Sequence, residues 1–320
     1  MSHLLAVAVA IVWQHVGDDH ASARREDACD LRERLVRFWH VMEDEHQRRE
    51  IQARLVDRER LQLAASQLSV RYASAAHTST AHGDAAAAAG YDAYVREFLS
   101  YGSQLRALFE IADANPDSAL LNAHAAALHL AFEGAEGWAA AAPYLSRMAA
   151  ARSRANVREA LFCEAVETWR QRRFDEALAH LDDLTVRWPA DLCAVKWGQY
   201  HAFNLGDQAA LLRFGERARI AHEDTPYAQG MIAFALEQNH RLPEAEEAGM
   251  RAVEIALDDA WAQHAIAHVY ETQRRPQDGV RWLDHCAHTW ERKGVFIRDH
   301  NWWHAALFRL RLGRNDEALA

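Results

Sequence analysis

Hydrophobic and polar residues follow one another along most of this chain with the three- and four-residue spacing of amphipathic helices. From Tyr91 onward the pattern predicts helices joined by short turns, and no stretch alternates as a β-strand does. Short turns force neighbouring helices to run antiparallel, so the pattern predicts a series of helix pairs. The predicted helices cover 91–113, 117–132, 136–150, 156–171, 174–187, 191–205, 208–221, 226–239, 242–256, 259–273, 276–291 and 300–313.

A repeat underlies these helix pairs. Small or aliphatic residues recur every 34 residues at Ala177, Leu211, Ala245 and Gly279, each near the start of an amphipathic segment. A further copy surrounds Ala318, 39 residues after Gly279. A period in the mid-thirties with two helices in each unit predicts a helical solenoid, whose units bury their apolar faces by stacking on each other.

The N-terminal part of the chain has a different character. Residues 24–68 carry interleaved opposite charges with apolar residues at helical spacing, which predicts an amphipathic helix. Residues 72–90 are small and polar without a periodic face, as expected of a linker. The sequence therefore predicts a charged helical extension with a linker over 1–85 and a repeat domain over 86–320. That domain looks truncated, because the chain stops within its last predicted unit.

Composition and charge narrow the class of protein. The formal net charge of −10, without a visible basic patch, argues against nucleic acid as a partner. The apolar run 4–13 has ten residues and is too short to span a membrane. Scattered cysteines without a CxxC pair are typical of reduced thiols, so we expect a cytoplasmic protein. These cysteines are Cys29, Cys163, Cys193 and Cys286.

The repeat resembles a known family. Its period and the small residues at Ala165, Ala233, Ala267 and Ala306 are similar to those of the tetratricopeptide repeat. More narrowly, residues from about 85 to 320 resemble the tetratricopeptide repeat protein 38 family, chiefly through the segments HAIAHVYE and HNWWH. The resemblance implies an all-α, right-handed superhelix of tetratricopeptide-like helix pairs. It leaves the activity open, because no biochemical activity is defined for that family.

In repeats of this type, fixed positions of the first helix of each unit line a concave groove. Those positions lie on one helical stripe, at spacings of three and four residues. The groove predicted in this way is aromatic at its N-terminal end and rich in His and Glu at its C-terminal end. It comprises Trp169, Lys196, Tyr200, Tyr227, Phe234, Glu237, Trp261, His264, His268, Glu271, His300 and His304.

Two HxxxH pairs stand out in this groove. His264 with His268, and His300 with His304, each place two imidazoles on one face of a helix. Since neighbouring helices pack roughly 8–10 Å apart, we expect the two pairs to converge. All four are candidate ligands of a divalent metal such as zinc, although the Glu of the HExxH motif is missing.

Two other interpretations of the cluster remain open. His268, Glu271 and His304 are candidates for general acid–base catalysis. Alternatively, His268 and Glu271 hydrogen-bond each other and only join adjacent repeats. The sequence thus predicts a binding or scaffold protein whose groove takes a peptide or small ligand. The alternative is a small-molecule enzyme, with or without a metal ion. A clamp for C-terminal carboxylates would need several cationic groove residues, and only Lys196 qualifies.

Overall fold

The computed structural model describes residues 85–221 and 224–319, and the predicted charged extension lies outside them. The described residues form fourteen α-helices and no strand. The helices are α1 (Ala85–Ser100), α2 (Ala107–Ala114), α3 (Ala119–Leu130), α4 (Ala135–Ala151), α5 (Val157–Arg170), α6 (Phe174–Arg187), α7 (Leu192–Leu205), α8 (Gln208–Ala221), α9 (Ala228–Gln238), α10 (Leu242–Ile255), α11 (Ala260–Thr272), α12 (Pro276–Cys286), α13 (Val295–Arg311) and α14 (Asn315–Leu319).

Consecutive helices pack in adjacent pairs, from α3 with α4 to α13 with α14. The first helices of successive pairs also contact each other: α9 contacts α11, and α11 contacts α13. The predicted all-helical architecture is therefore confirmed for the described residues. Over 85–221 and 224–319, no helix is long and apolar enough to cross a membrane.

The repeat positions identified in the sequence lie in the core. Ala177, Leu211 and Ala245 are fully buried. At the fourth position, Gly279, a Cβ atom would lie 2.4 Å from Cε2 of Phe308 on the following first helix. A side chain at Gly279 would therefore collide with an aromatic ring, which explains a glycine inside α12 despite its poor helix propensity.

The prediction of one helix over 91–113 is wrong, because α1 ends at Ser100 and α2 begins at Ala107. Tyr101 adopts a left-handed conformation, with φ of 55°. The amide of Gly102 then donates to the carbonyl of Glu97 over 2.8 Å and closes the helix end. A second difference concerns α13, which begins at Val295 and not at residue 300 as predicted.

Candidate metal centre

Helices α11 and α13 carry the two histidine pairs. The carboxylate of Asp259 fixes the start of α11 by accepting a hydrogen bond from the amide of Ala262 over 3.0 Å. The side-chain amide of Asn301 on α13 donates to the carbonyl of Ala260 over 3.2 Å. This bond joins the two helices near the N-terminus of α11, ahead of the histidines.

The structure brings the two predicted histidine pairs together. One nitrogen from each of His264, His268, His300 and His304 lies within 4.8 Å of the other three. Nε2 of His304 and Nε2 of His300 are 3.2 Å apart. Ring centroids of His264 and His268 are 4.3 Å apart, and those of His268 and His304 are 4.7 Å apart. The cluster can therefore hold a metal ion.

Burial lowers the pKa of three of these imidazoles, those of His264, His300 and His304, and keeps them uncharged near neutral pH. His264 and His304 are each only 3% exposed. Burial, assisted by the neighbouring imidazoles, holds the pKa of both side chains well below the ordinary value. Burial and the proximity of His268 also lower the pKa of His300 to about 4. Neutral imidazoles offer the lone pair that a metal ion requires.

Several nitrogens of the cluster lack a partner. Both ring nitrogens of His264, Nε2 of His268 and Nδ1 of His304 are buried without a hydrogen-bond partner among the described residues. A buried polar atom that makes no hydrogen bond costs about 1–3 kcal/mol. These atoms belong to three of the four histidines, and each histidine can give one nitrogen to an ion, so the unpartnered nitrogens fit a metal site better than a network that only joins helices.

Two carboxylates lie beside the cluster, in different roles. Oε2 of Glu237, on α9, lies 3.6 Å from Nδ1 of His268, and the Glu237 side chain is buried. It also accepts a hydrogen bond of 2.6 Å from the side chain of Gln238. Glu271 instead pairs with the guanidinium of Arg311, on α13. The interpretation of His268 and Glu271 as a hydrogen-bonded pair is therefore wrong, because each side chain has a different partner.

Aromatic rings cover two of the histidines. Trp261 stacks on His264 with ring centroids 4.7 Å apart and an interplanar angle of 25°. Trp303 stacks on His300 at 5.4 Å and 29°. Phe234, predicted to line the groove, lies farther from His264, at 6.1 Å. These rings restrict the orientation of the imidazoles and lower the local polarity.

The N-terminal half of the predicted groove is engaged within the chain. The ammonium of Lys196 donates to the carbonyls of Phe98 and Leu99. The hydroxyl of Tyr200 donates to Glu133 over 2.6 Å. Two further predicted groove residues follow the same trend: Trp169 is 3% exposed, and Tyr227 donates to Asp258 over 3.4 Å. Lys196, Tyr200 and Tyr227 thus have hydrogen-bond partners within the chain and Trp169 is buried, whereas four nitrogens of the histidine cluster have no partner among the described residues.

No model of a known protein family matches the chain. The centre is therefore interpreted from its own geometry. Metal–nitrogen bonds of about 2.0–2.1 Å to His300 and His304 would give an angle of about 100° at the ion, given their separation of 3.2 Å. An angle of this size suits tetrahedral or octahedral coordination, so these two nitrogens fit one ion.

Proposed function

We propose that this chain is a metal-binding helical repeat protein of the tetratricopeptide type, similar to the tetratricopeptide repeat protein 38 family. Its centre holds one divalent transition metal ion through His264, His268, His300 and His304. The observation that supports this most is the convergence of four nitrogens within 4.8 Å in a cluster that contains four buried nitrogens without partners among the described residues. The three buried free cysteines in the described part of the chain suit a reducing compartment, and we place the protein in the cytoplasm.

The donor set selects the class of metal. Imidazole nitrogen suits zinc, copper, iron and nickel, whereas magnesium and calcium prefer oxygen ligands. No carboxylate belongs to the group of mutually close donor atoms in the described part of the chain. Zinc is the first candidate, because it is commonly bound by histidine in proteins that must avoid redox chemistry.

The ion has a route to an external ligand. His268 and His300 are only partly buried, whereas His264 and His304 are buried, so one side of the cluster faces solvent. A small molecule or a peptide side chain that reaches the ion from this side would complete its coordination. This is the ligand-binding function that we propose for the C-terminal end of the groove.

Metal-dependent catalysis on a small molecule is a second candidate, and Glu271 favours it. Its Oε2 atom is buried without a hydrogen-bond partner among the described residues. It lies one helical turn after His268 on the same face of α11. If His268 and His304 bind the ion, Glu271 is the one of the three candidates for general acid–base catalysis that stays free to act as a base.

Elemental analysis and Co²⁺ titration of protein purified without a His tag test the metal function. We expect about one equivalent of bound ion, and loss of this binding in the double variant His264→Ala, His304→Ala. The matched control is His285→Ala, His288→Ala, which removes an exposed histidine pair from α12 and the turn after it. Equal Co²⁺ binding by wild type and the first double variant would contradict the proposal.

A further inference from the structure

Residues 98–102 contact α7, α11 and the segment that precedes α13. The carbonyls of Phe98 and Leu99 bind Lys196 on α7. The carbonyl of Tyr101 accepts a hydrogen bond of 2.7 Å from the amide of Gly294, the residue that precedes α13. Gly102 forms an antiparallel bridge with Lys293. This turn therefore connects the end of α1 to the start of the helix that carries His300 and His304.

The ring of Tyr101 contacts the other histidine helix as well. It stacks on Trp261 of α11, with ring centroids 5.0 Å apart and an interplanar angle of 24°. Trp261 in turn stacks on His264 at 4.7 Å. Lys196 contacts the same ring, and its Nζ atom lies 3.3 Å from the Tyr101 ring centroid, within the range of a cation–π interaction. The ring of Tyr101 thus contacts both Lys196 and Trp261, the residue that stacks on a candidate ligand.

The backbone at Tyr101 is in a conformation that favours glycine. Its φ of 55° follows the last turn of α1, at the position where helices commonly end in glycine. A bulky side chain there costs roughly 1–2 kcal/mol relative to glycine. The conformation persists because the ring contacts and the bond to Gly294 hold it, so the side chain itself has a structural use at this position.

We propose that Tyr101 is a positioning residue for the metal centre, an inference that rests on the proposed metal-binding function. Its ring holds α11 through Trp261, and its carbonyl holds the start of α13 through Gly294. Together these contacts fix the two histidine pairs at the separation that lets them share an ion. Without the ring, a smaller fraction of molecules has all four imidazoles in place, and the apparent affinity falls by that fraction.

Thermodynamic linkage gives the proposal a second consequence. If Tyr101 raises the affinity for the ion, the ion must stabilise the Tyr101 turn by the same free energy. The amide of Gly294, which is bonded to the Tyr101 carbonyl, should then exchange its hydrogen more slowly when metal is bound. This expectation concerns the wild-type protein and needs no variant that must fold.

The variant Tyr101→Gly separates the ring from the backbone, because glycine suits the left-handed turn while removing every ring contact. We expect Co²⁺ binding about tenfold weaker than in wild type, a coupling of ordinary size. Tyr101→Phe keeps the stacking on Trp261 and should stay within about twofold of wild type. The matched control is Arg172→Gly, which makes the same backbone change at φ of 59° after α5.

The outcomes distinguish the two proposals. If wild type binds no metal, the proposed function itself fails. If wild type and Tyr101→Gly bind Co²⁺ equally tightly, with the same visible absorption spectrum, the metal function stands and the role of Tyr101 is refuted. Hydrogen exchange at Gly294 that is unchanged by bound metal would refute that role too, even if Tyr101→Gly failed to fold.

Discussion

Replacing Glu237 by Gln tests the centre at a residue that need not touch the ion. Glu237 is 6% exposed, and its Oε2 atom lies 3.6 Å from Nδ1 of His268. The carboxylate favours a proton on Nδ1, so that Nε2 keeps its lone pair for the ion. Glutamine has nearly the same shape but no charge. The substitution therefore removes the preference for this tautomer without opening a cavity.

The size of the effect follows from this geometry. The imidazole of His268 would separate the carboxylate from the ion by roughly 7–8 Å, given a metal–nitrogen bond of about 2 Å. A single negative charge at that distance attracts a divalent ion by about 4–5 kcal/mol at an effective dielectric constant of 20. Desolvation and the remaining amide contact offset part of this attraction. We therefore expect Glu237→Gln to weaken metal binding about 10–100-fold, as losses of such outer partners generally do.

Competition between the protein and a chelator for Co²⁺, followed by visible absorption, measures this change. The control Glu247→Gln removes an exposed charge from α10 and should leave the affinity within about twofold. The reasoning about His268 is refuted if Glu237→Gln binds one equivalent of Co²⁺ as tightly as wild type. Tighter binding would refute it as well, because the carboxylate would then oppose coordination.

Three further predictions concern stability. His264→Leu removes two unpartnered buried nitrogens, so it should raise the unfolding free energy of the metal-free protein by about 1 kcal/mol. It should also abolish the stabilisation by added metal. Urea unfolding with and without chelator measures both effects. Gly279→Ala should destabilise the folded protein by about 1–3 kcal/mol, since its Cβ would meet the ring of Phe308. A shift of the urea midpoint smaller than that of an exposed Gly→Ala control would contradict this prediction. Burial lowers the pKa of His201 to about 4, so the folded state lacks a proton that the unfolded chain binds below pH 6.5. The stability that this histidine contributes above pH 6.5 is therefore lost as the pH falls toward 4. The variant His201→Gln should lose about 2 kcal/mol less unfolding free energy than wild type between pH 7 and 4.5. Equal losses in both proteins would refute the role given to His201.

Helices could be predicted from the sequence wherever their signals are local. The predicted segments 174–187 and 208–221 match α6 and α8. Both the spacing of apolar residues and the residues that start or end a helix can be recognised within a few positions of the sequence. The break between α1 and α2 carries only one local signal, Gly102, which lies one residue after the left-handed position. Tyr101 occupies a turn position that usually holds glycine, and the contacts that hold it there come from residues far along the chain.

The position of the histidine cluster could be predicted because its residues occupy equivalent positions of the sequence repeat. Equivalent positions of successive first helices lie side by side, so the spacing in HAIAHVYE and HNWWH was enough to predict that the two pairs converge. The partners of the two glutamates were not predictable. Glu271 bonds to Arg311, 40 residues later, and Glu237 reaches His268 from the preceding repeat. These choices depend on side-chain rotamers, which spacing does not determine.

The contrast between the two halves of the predicted groove carries the functional argument. At the N-terminal half, Lys196 and Tyr200 have partners within the chain, as expected of side chains that stabilise a fold. At the C-terminal half, buried imidazole nitrogens remain unpartnered, and a helical repeat that only needed stability would do better with apolar residues there. An ion that binds the folded state alone would offset that cost, by about 4 kcal/mol at a concentration 1,000 times its dissociation constant. Since Tyr101 connects both halves, occupancy of the metal centre and closure of the Tyr101 turn should rise and fall together.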